Sequence, residues 1–145
     1  MKRTLKSIIS SSLALALCVC ALLSFASCEK QAELDMWENA NYSSQTTLGE
    51  GEKTFTLEVK AQEKTVAFTV KTDKATVGEA LLDCGLITGE QGPYGMYIKE
   101  VNGIVADYDV DGTYWAFYIN GEYAMTGVDT TEIAEGATYQ LERTK

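Results

Sequence analysis

Eight aromatic side chains, Tyr94, Tyr97, Tyr108, Tyr114, Trp115, Phe117, Tyr118 and Tyr123, fall within thirty consecutive positions. Rings of this kind do recognition chemistry: they stack on flat ligands while phenol and indole edges hydrogen-bond. In an extended run Tyr114–Asn120, Trp115, Phe117 and Ile119 face one way, and Tyr114, Ala116, Tyr118 and Asn120 the other. The first set suits a core. The second, with Tyr97 and Tyr123 from neighbouring strands, forms a tyrosine surface fit for binding, rimmed by the loop Gly92–Gly95 with Tyr94. Tyrosines on an outer sheet face also occur as ordinary cover.

Other reactive groups give less. Asp107-Tyr108-Asp109-Val110-Asp111-Gly112 begins like a calcium loop, but the twelfth position, which needs a bidentate Glu, is Tyr118. A solvated turn is expected there, and no metal site. The chain has no histidine, so no Ser-His-Asp or Cys-His arrangement can form, and zinc lacks its commonest nitrogen ligand. The paired carboxylates Asp107/Asp109 and Asp129/Glu132 sit in turns without apolar enclosure. No catalytic residue is assigned, and a non-enzyme is expected.

The N-terminus reads as an address. Met1-Lys2-Arg3 and Lys6 precede an apolar run from Ile8 to Ala26, the layout of a secretory signal. Leu23-Ser24-Phe25-Ala26-Ser27-Cys28 resembles a bacterial lipobox, which makes residues 1–27 a lipoprotein signal and Cys28 the lipidated residue. Cleavage after Ala26 by ordinary signal peptidase is the alternative. A multiply acylated cysteine anchors a small domain, at roughly 0.8 kcal/mol per buried CH₂. The expected location is therefore the outer face of the bacterial cytoplasmic membrane. The signal takes three of the 12 Lys and Arg and none of the 21 Asp and Glu, which leaves a formal charge of −12. Such acidity disfavours nucleic acid as a partner. Cys84 is then the one cysteine of the folded part, so no internal disulfide is expected.

The elements that position these residues follow from patterning. Residues 28–52 show no sustained period and read as a flexible tether. Phe55, Leu57 and Val59, then Val66, Phe68 and Val70, alternate with polar residues as a hairpin linked through Gln62-Glu63-Lys64. Thr76 with Glu79 forms a capping box; Val77, Ala80, Leu81 and Cys84 follow at helical spacing, and Gly85 ends the helix. Thr88–Gly95 reads as a loop. Strands Met96–Val101 and Ile104–Ala106 flank the turn Asn102-Gly103, Asp107–Thr113 is a further turn, and the aromatic strand turns at Asn120-Gly121. Ala137–Arg143 is the last strand. The order predicts one α+β domain, residues 53–145, of the β-grasp kind: an antiparallel-rich sheet of four to five strands with one helix.

Several segments together resemble the transcobalamin-like C-terminal domain, the DUF4430 family. They are Thr76-Val77-Gly78-Glu79-Ala80-Leu81-Leu82, Gly95–Gly103, Tyr114–Tyr123, and the tail Gly127-Val128-Asp129 with Ile133–Tyr139. The resemblance implies a β-rich domain of the kind that closes over cobalamin in carriers such as intrinsic factor and transcobalamin, against a large helical domain that this chain has no room for. It implies cobalamin as a ligand, with no cofactor required and no imidazole to ligate cobalt. Tyr94, Tyr97, Tyr114, Tyr118 and Tyr123 are the candidate ligand-binding residues of a lipid-anchored binding module. The competing expectation is a non-catalytic protein-interaction module, in which the same tyrosines contact a surface protein.

Overall fold

The computed structural model describes residues 35–145, and residues 36–145 form one compact unit. The signal segment 1–27 and Cys28 lie outside the described residues. Among the described residues nine strands form two sheets. Strands β1 (Thr46–Leu48), β2 (Lys53–Ala61), β3 (Lys64–Thr72), β7 (Tyr114–Ile119), β8 (Glu122–Tyr123) and β9 (Thr138–Thr144) build a six-stranded sheet of order β1-β3-β2-β9-β7-β8. Strands β4 (Ile87–Gly92), β5 (Gly95–Val101) and β6 (Ile104–Val105) form a second, antiparallel sheet. The large sheet is mixed: β1 runs parallel to β3 and β2 parallel to β9, while the other pairs are antiparallel. The protein is thus mostly β-sheet with one main helix, and the single sheet of four to five strands becomes two sheets.

The period-2 patterns decide which face is buried. Phe55, Leu57, Val59, Phe68, Val70, Tyr139 and Leu141 are almost wholly enclosed. The helix α1 (Val77–Asp83) adds Val77, Ala80 and Leu81 to the same core, and the second sheet adds Ile87, Ile98, Val101 and Ile104. Its capping box forms as the sequence predicts: Thr76 Oγ1 accepts from Glu79 N–H, and the Glu79 carboxylate accepts from Thr76 N–H. The donors Val77 N–H and Gly78 N–H are taken by Thr131 O and Val128 O at 2.9 and 2.7 Å. The start of α1 is therefore bonded to the segment 128–131, whose first residue, Val128, is also core.

Two expectations are corrected. Residues 36–52 belong to the fold rather than to a tether. A 3-10 turn, Met36–Asn39, buries Trp37, whose indole Nε1 donates to Ala61 O at 3.1 Å beneath the Lys64 ammonium. Tyr42 meets Phe68 edge-on at 5.9 Å, and the wholly buried Asn102 carboxamide bonds both backbone groups of Tyr42. Strand β1 then lies against β3. The second correction is Thr88–Gly95, expected as a loop. It is strand β4 and its turn, paired to β5 down to Gly92↔Gly95 with a bulge between Thr88 and Gly89. Gly89 allows the close pairing, since a Cβ there would stand 2.4 Å from Tyr97 O.

Candidate functional site: an aromatic groove between the two sheets

Strand β7 buries Trp115 and Phe117 on the predicted inner face, 7 % and 8 % exposed, but Ala116, expected on the outer face, is buried as well. Its outer side is paired only in part. β8 meets Tyr118 and Ile119, and Ala124 N–H donates to Phe117 O at 2.9 Å. Strand β5 likewise pairs with β6 only at Glu100 and Val101. The unpaired stretches of both strands line a cleft of about 200 Å³, with Met96, Tyr97 and Ile98 on one side and Tyr114, Trp115 and Phe117 on the other. Tyr123, Ala124, Thr126, Gly127 and Val128 close its third side.

Two wider hollows adjoin the cleft through shared walls. One, of about 370 Å³, is formed by Gly92–Tyr97 and shares Met96 and Tyr97. The other, of about 470 Å³, is formed by Ile119, Asn120 and Glu122–Met125 and shares Tyr123 and Ala124. The three together make a groove whose rims carry Tyr94 and Met125, 100 % and 94 % exposed.

Of the candidate tyrosines, Tyr97, Tyr114 and Tyr123 come to the same cleft, and Tyr94 stands on its rim. Tyr118 does not line it; its ring meets Tyr123 perpendicularly at 5.5 Å. The continuous tyrosine face expected from strand alternation is not formed, because Tyr97 lies in the second sheet and is no ladder neighbour of β7. Lys99 Nζ sits 4.7 Å from the Tyr97 ring centroid, a cation held on the outside of that aromatic wall.

Polar features of the site were not legible as such in the sequence. Trp115 Nε1 is buried and has no hydrogen-bond partner in the protein, and neither has Asp129 Oδ1. Asp129 Oδ2 accepts from Met96 N–H at 3.1 Å. An indole donor left unpaired in a core is uncommon, because it forfeits its hydration without compensation.

The acidic stretch 107–111 does not make a metal centre. Asp107 caps the single-turn helix α2 (Tyr108–Asp111) by accepting from Asp109 N–H at 3.0 Å. Asp111 is engaged by Thr113 and by the Arg143 guanidinium, and the Thr113 hydroxyl, foremost among these contacts, holds its carboxyl below the usual value. Among the described residues no group of three or more His, Cys, Asp or Glu could hold a metal ion. Cys84 packs against the core, and burial first, then Asp83, pushes its thiol up. That favours the unreactive thiol form.

The DUF4430 family model, described as a domain of unknown function, matches residues 74–141. A Ruminococcus gnavus ATCC 29149 protein, described as a candidate metal-binding protein, has a solved structure that superposes with a TM-score of 0.61 at 30 % identity, over 65 % of this chain and 98 % of that one. The chain belongs to the DUF4430 family. Haptocorrin in complex with Cbi superposes with a TM-score of 0.52 at 22 % identity, over 64 % of this chain and 25 % of haptocorrin. At that identity the likeness is one of fold, in line with the transcobalamin-like relation, and this chain spans a quarter of haptocorrin's length. No curated protein matches the chain. The metal binding named for the Ruminococcus relative has no matching cluster of three His, Cys, Asp or Glu among the described residues of this chain.

Proposed function

We propose that this member of the DUF4430 family is a lipid-anchored binding module on the outer face of the bacterial cytoplasmic membrane, and that its groove grips one side of a flat, partly apolar small molecule of the cobalamin class. The observation that carries the reading is the aromatic cleft lined by Tyr97, Trp115, Phe117 and Tyr123, one of which, Trp115, keeps a buried indole N–H without a protein acceptor. A flat ligand would stack its apolar edge on these rings and offer its polar edge to their phenols. The haptocorrin likeness supports the choice of ligand class. The cleft's volume, about 200 Å³, is below the ~300–1,000 Å³ of self-sufficient small-molecule sites, so it suits the edge of a larger ligand.

A second reading, a protein-interaction module, is favoured by one feature: Tyr94 and Met125 project from the rims into solvent. Titration calorimetry of the full chain with cobinamide and cobalamin decides between them. Heat of binding, with a change in tryptophan fluorescence that Trp115→Phe abolishes, is the expected result. Absence of both at high micromolar ligand leaves the protein-partner reading in its place.

A further inference from the structure

One carboxylate holds the two walls of the cleft together. Asp129 follows directly on Gly127 and Val128, which line one wall, and its Oδ2 accepts from the backbone N–H of Met96, which lines the other. The side chain sits in a socket made by glycines from three separate elements. A Cβ on Gly127 would stand 2.6 Å from Asp129 Oδ1, and one on Gly95 3.1 Å from the same atom. A Cβ on Gly78, in the first turn of α1, would stand 2.9 Å from the Asp129 backbone. Gly95 also has a φ of +115°, a conformation that other residues rarely adopt. The backbone thus comes unusually close around a carboxylate that makes one hydrogen bond and keeps its second oxygen buried without a partner.

An oxygen in that state is poorly compensated, and the one hydrogen bond that draws the start of β5 onto this segment is the Met96 contact, the rest of β5 being held by its β4 ladder and by Ile98 and Val101 in the core. Breaking that contact frees the start of β5 from the 127–129 segment, and no other hydrogen bond joins Gly95 or Met96 to that segment among the described residues. We infer that Asp129 is a latch that sets the gape of the groove: engaged, it leaves only the narrow cleft, and released, it lets β5 swing from Gly127 and Val128 so that a larger flat ligand can enter. Asp129 is in this sense a positioning residue, acting on the aromatic walls through Met96. The inference rests on the groove being a binding site, but its test needs no ligand.

The two indole N–H protons supply that test in the free protein. Trp115 lines the cleft and its Nε1–H is buried without a protein partner, whereas Trp37 Nε1–H is bonded to Ala61 O at the far end of β2. In the ¹⁵N-labelled full chain, Asp129→Ala should speed exchange of the Trp115 indole about tenfold, as expected for losing one charge-assisted bond that closes a local opening, and leave Trp37 unchanged. Gly127→Ala, which pushes the carboxylate out of its socket, should reproduce this. Asp129→Asn, which keeps an acceptor for Met96 N–H, should stay near the unaltered chain. Unchanged Trp115 exchange in Asp129→Ala, or an equal rise at both indoles, overturns the latch, since the latter is general loosening. Should Asp129→Ala not fold, Gly127→Ala decides the matter on the same two protons. Because cobinamide is absent throughout, a failure of ligand binding leaves this result standing.

Discussion

The two tryptophans of this protein are almost equally buried, at 5 % and 7 % exposure, and differ in what their indole nitrogens do. Trp37 donates to Ala61 O and carries a lysine ammonium over its ring, so every part of it is matched. Trp115 fills its place on β7 with Nε1 unmatched. The first closes an end of the main sheet; the second floors a groove where two strands leave part of their length unpaired. Burial therefore does not distinguish the two indoles. Polar satisfaction does, and an unpaired buried donor is uncommon enough to single out Trp115 as the candidate of the pair.

The largest test of this contrast is Trp37→Ala, expected to cost about 3–5 kcal/mol, as for other large aromatic truncations in a core. Urea unfolding measures it, and a loss below about 1 kcal/mol would mean that residues 36–48 are not part of the cooperative unit. A finer comparison replaces each indole by phenyl. Trp37→Phe should cost about 1–3 kcal/mol, because it leaves Ala61 O without its donor. Trp115→Phe removes an unmatched group and should cost less than about 1.5 kcal/mol; equal losses would erase the distinction.

The smallest effect concerns the strand neighbour of Trp115. Arg143, its register partner on β9, donates from Nε to Val105 O at 2.9 Å and pairs with Asp111 at 2.6 Å, tying β9 to the second sheet. The Asp111 carboxyl is held below its ordinary value of 3.8, chiefly by the Thr113 hydroxyl and further by Arg143. A carboxyl depressed on folding adds stability above its unfolded value, and that stability is lost as pH falls through the folded one. Asp111→Asn should therefore melt slightly below the unaltered chain at neutral pH and converge with it under strongly acidic conditions. A gap that persists unchanged into acid would assign the effect to packing.

Where local chemistry is strong, the sequence predicts the fold closely. Asn102-Gly103 and Asn120-Gly121 take up the paired positive φ of tight hairpin turns, 54° and 80°, then 48° and 85°. The capping box, the Gly85 terminus and the alternation of β2 and β3 are likewise legible. What escaped is held by single, distant contacts. Trp37, Tyr42 and the three-residue β1 carry no period; Trp37 docks on Ala61, Tyr42 on Asn102, sixty positions away, and β1 on β3. Strand β4 is glycine-rich and exposed beyond Ile87, so nothing in its side chains announces a strand. Part of the groove was visible in its tyrosines, but the partition of Tyr97 into a second sheet depends on long-range pairing. Asp129 looked like one more turn carboxylate, and only the three glycines around it show otherwise.

Docking of residues 36–48 shortens the leash. On the proposed lipid anchor at Cys28, seven residues, 29–35, remain before Met36, a reach of roughly 25–30 Å even at full extension. The chain enters the domain beside Ala61, at the end where β7 begins with Tyr114, while the broad hollow lies past Ile119 at the other end of that strand. A domain so closely moored could turn little, and the mouth of its groove would look outward, toward whatever arrives from beyond the cell rather than toward the bilayer beneath it.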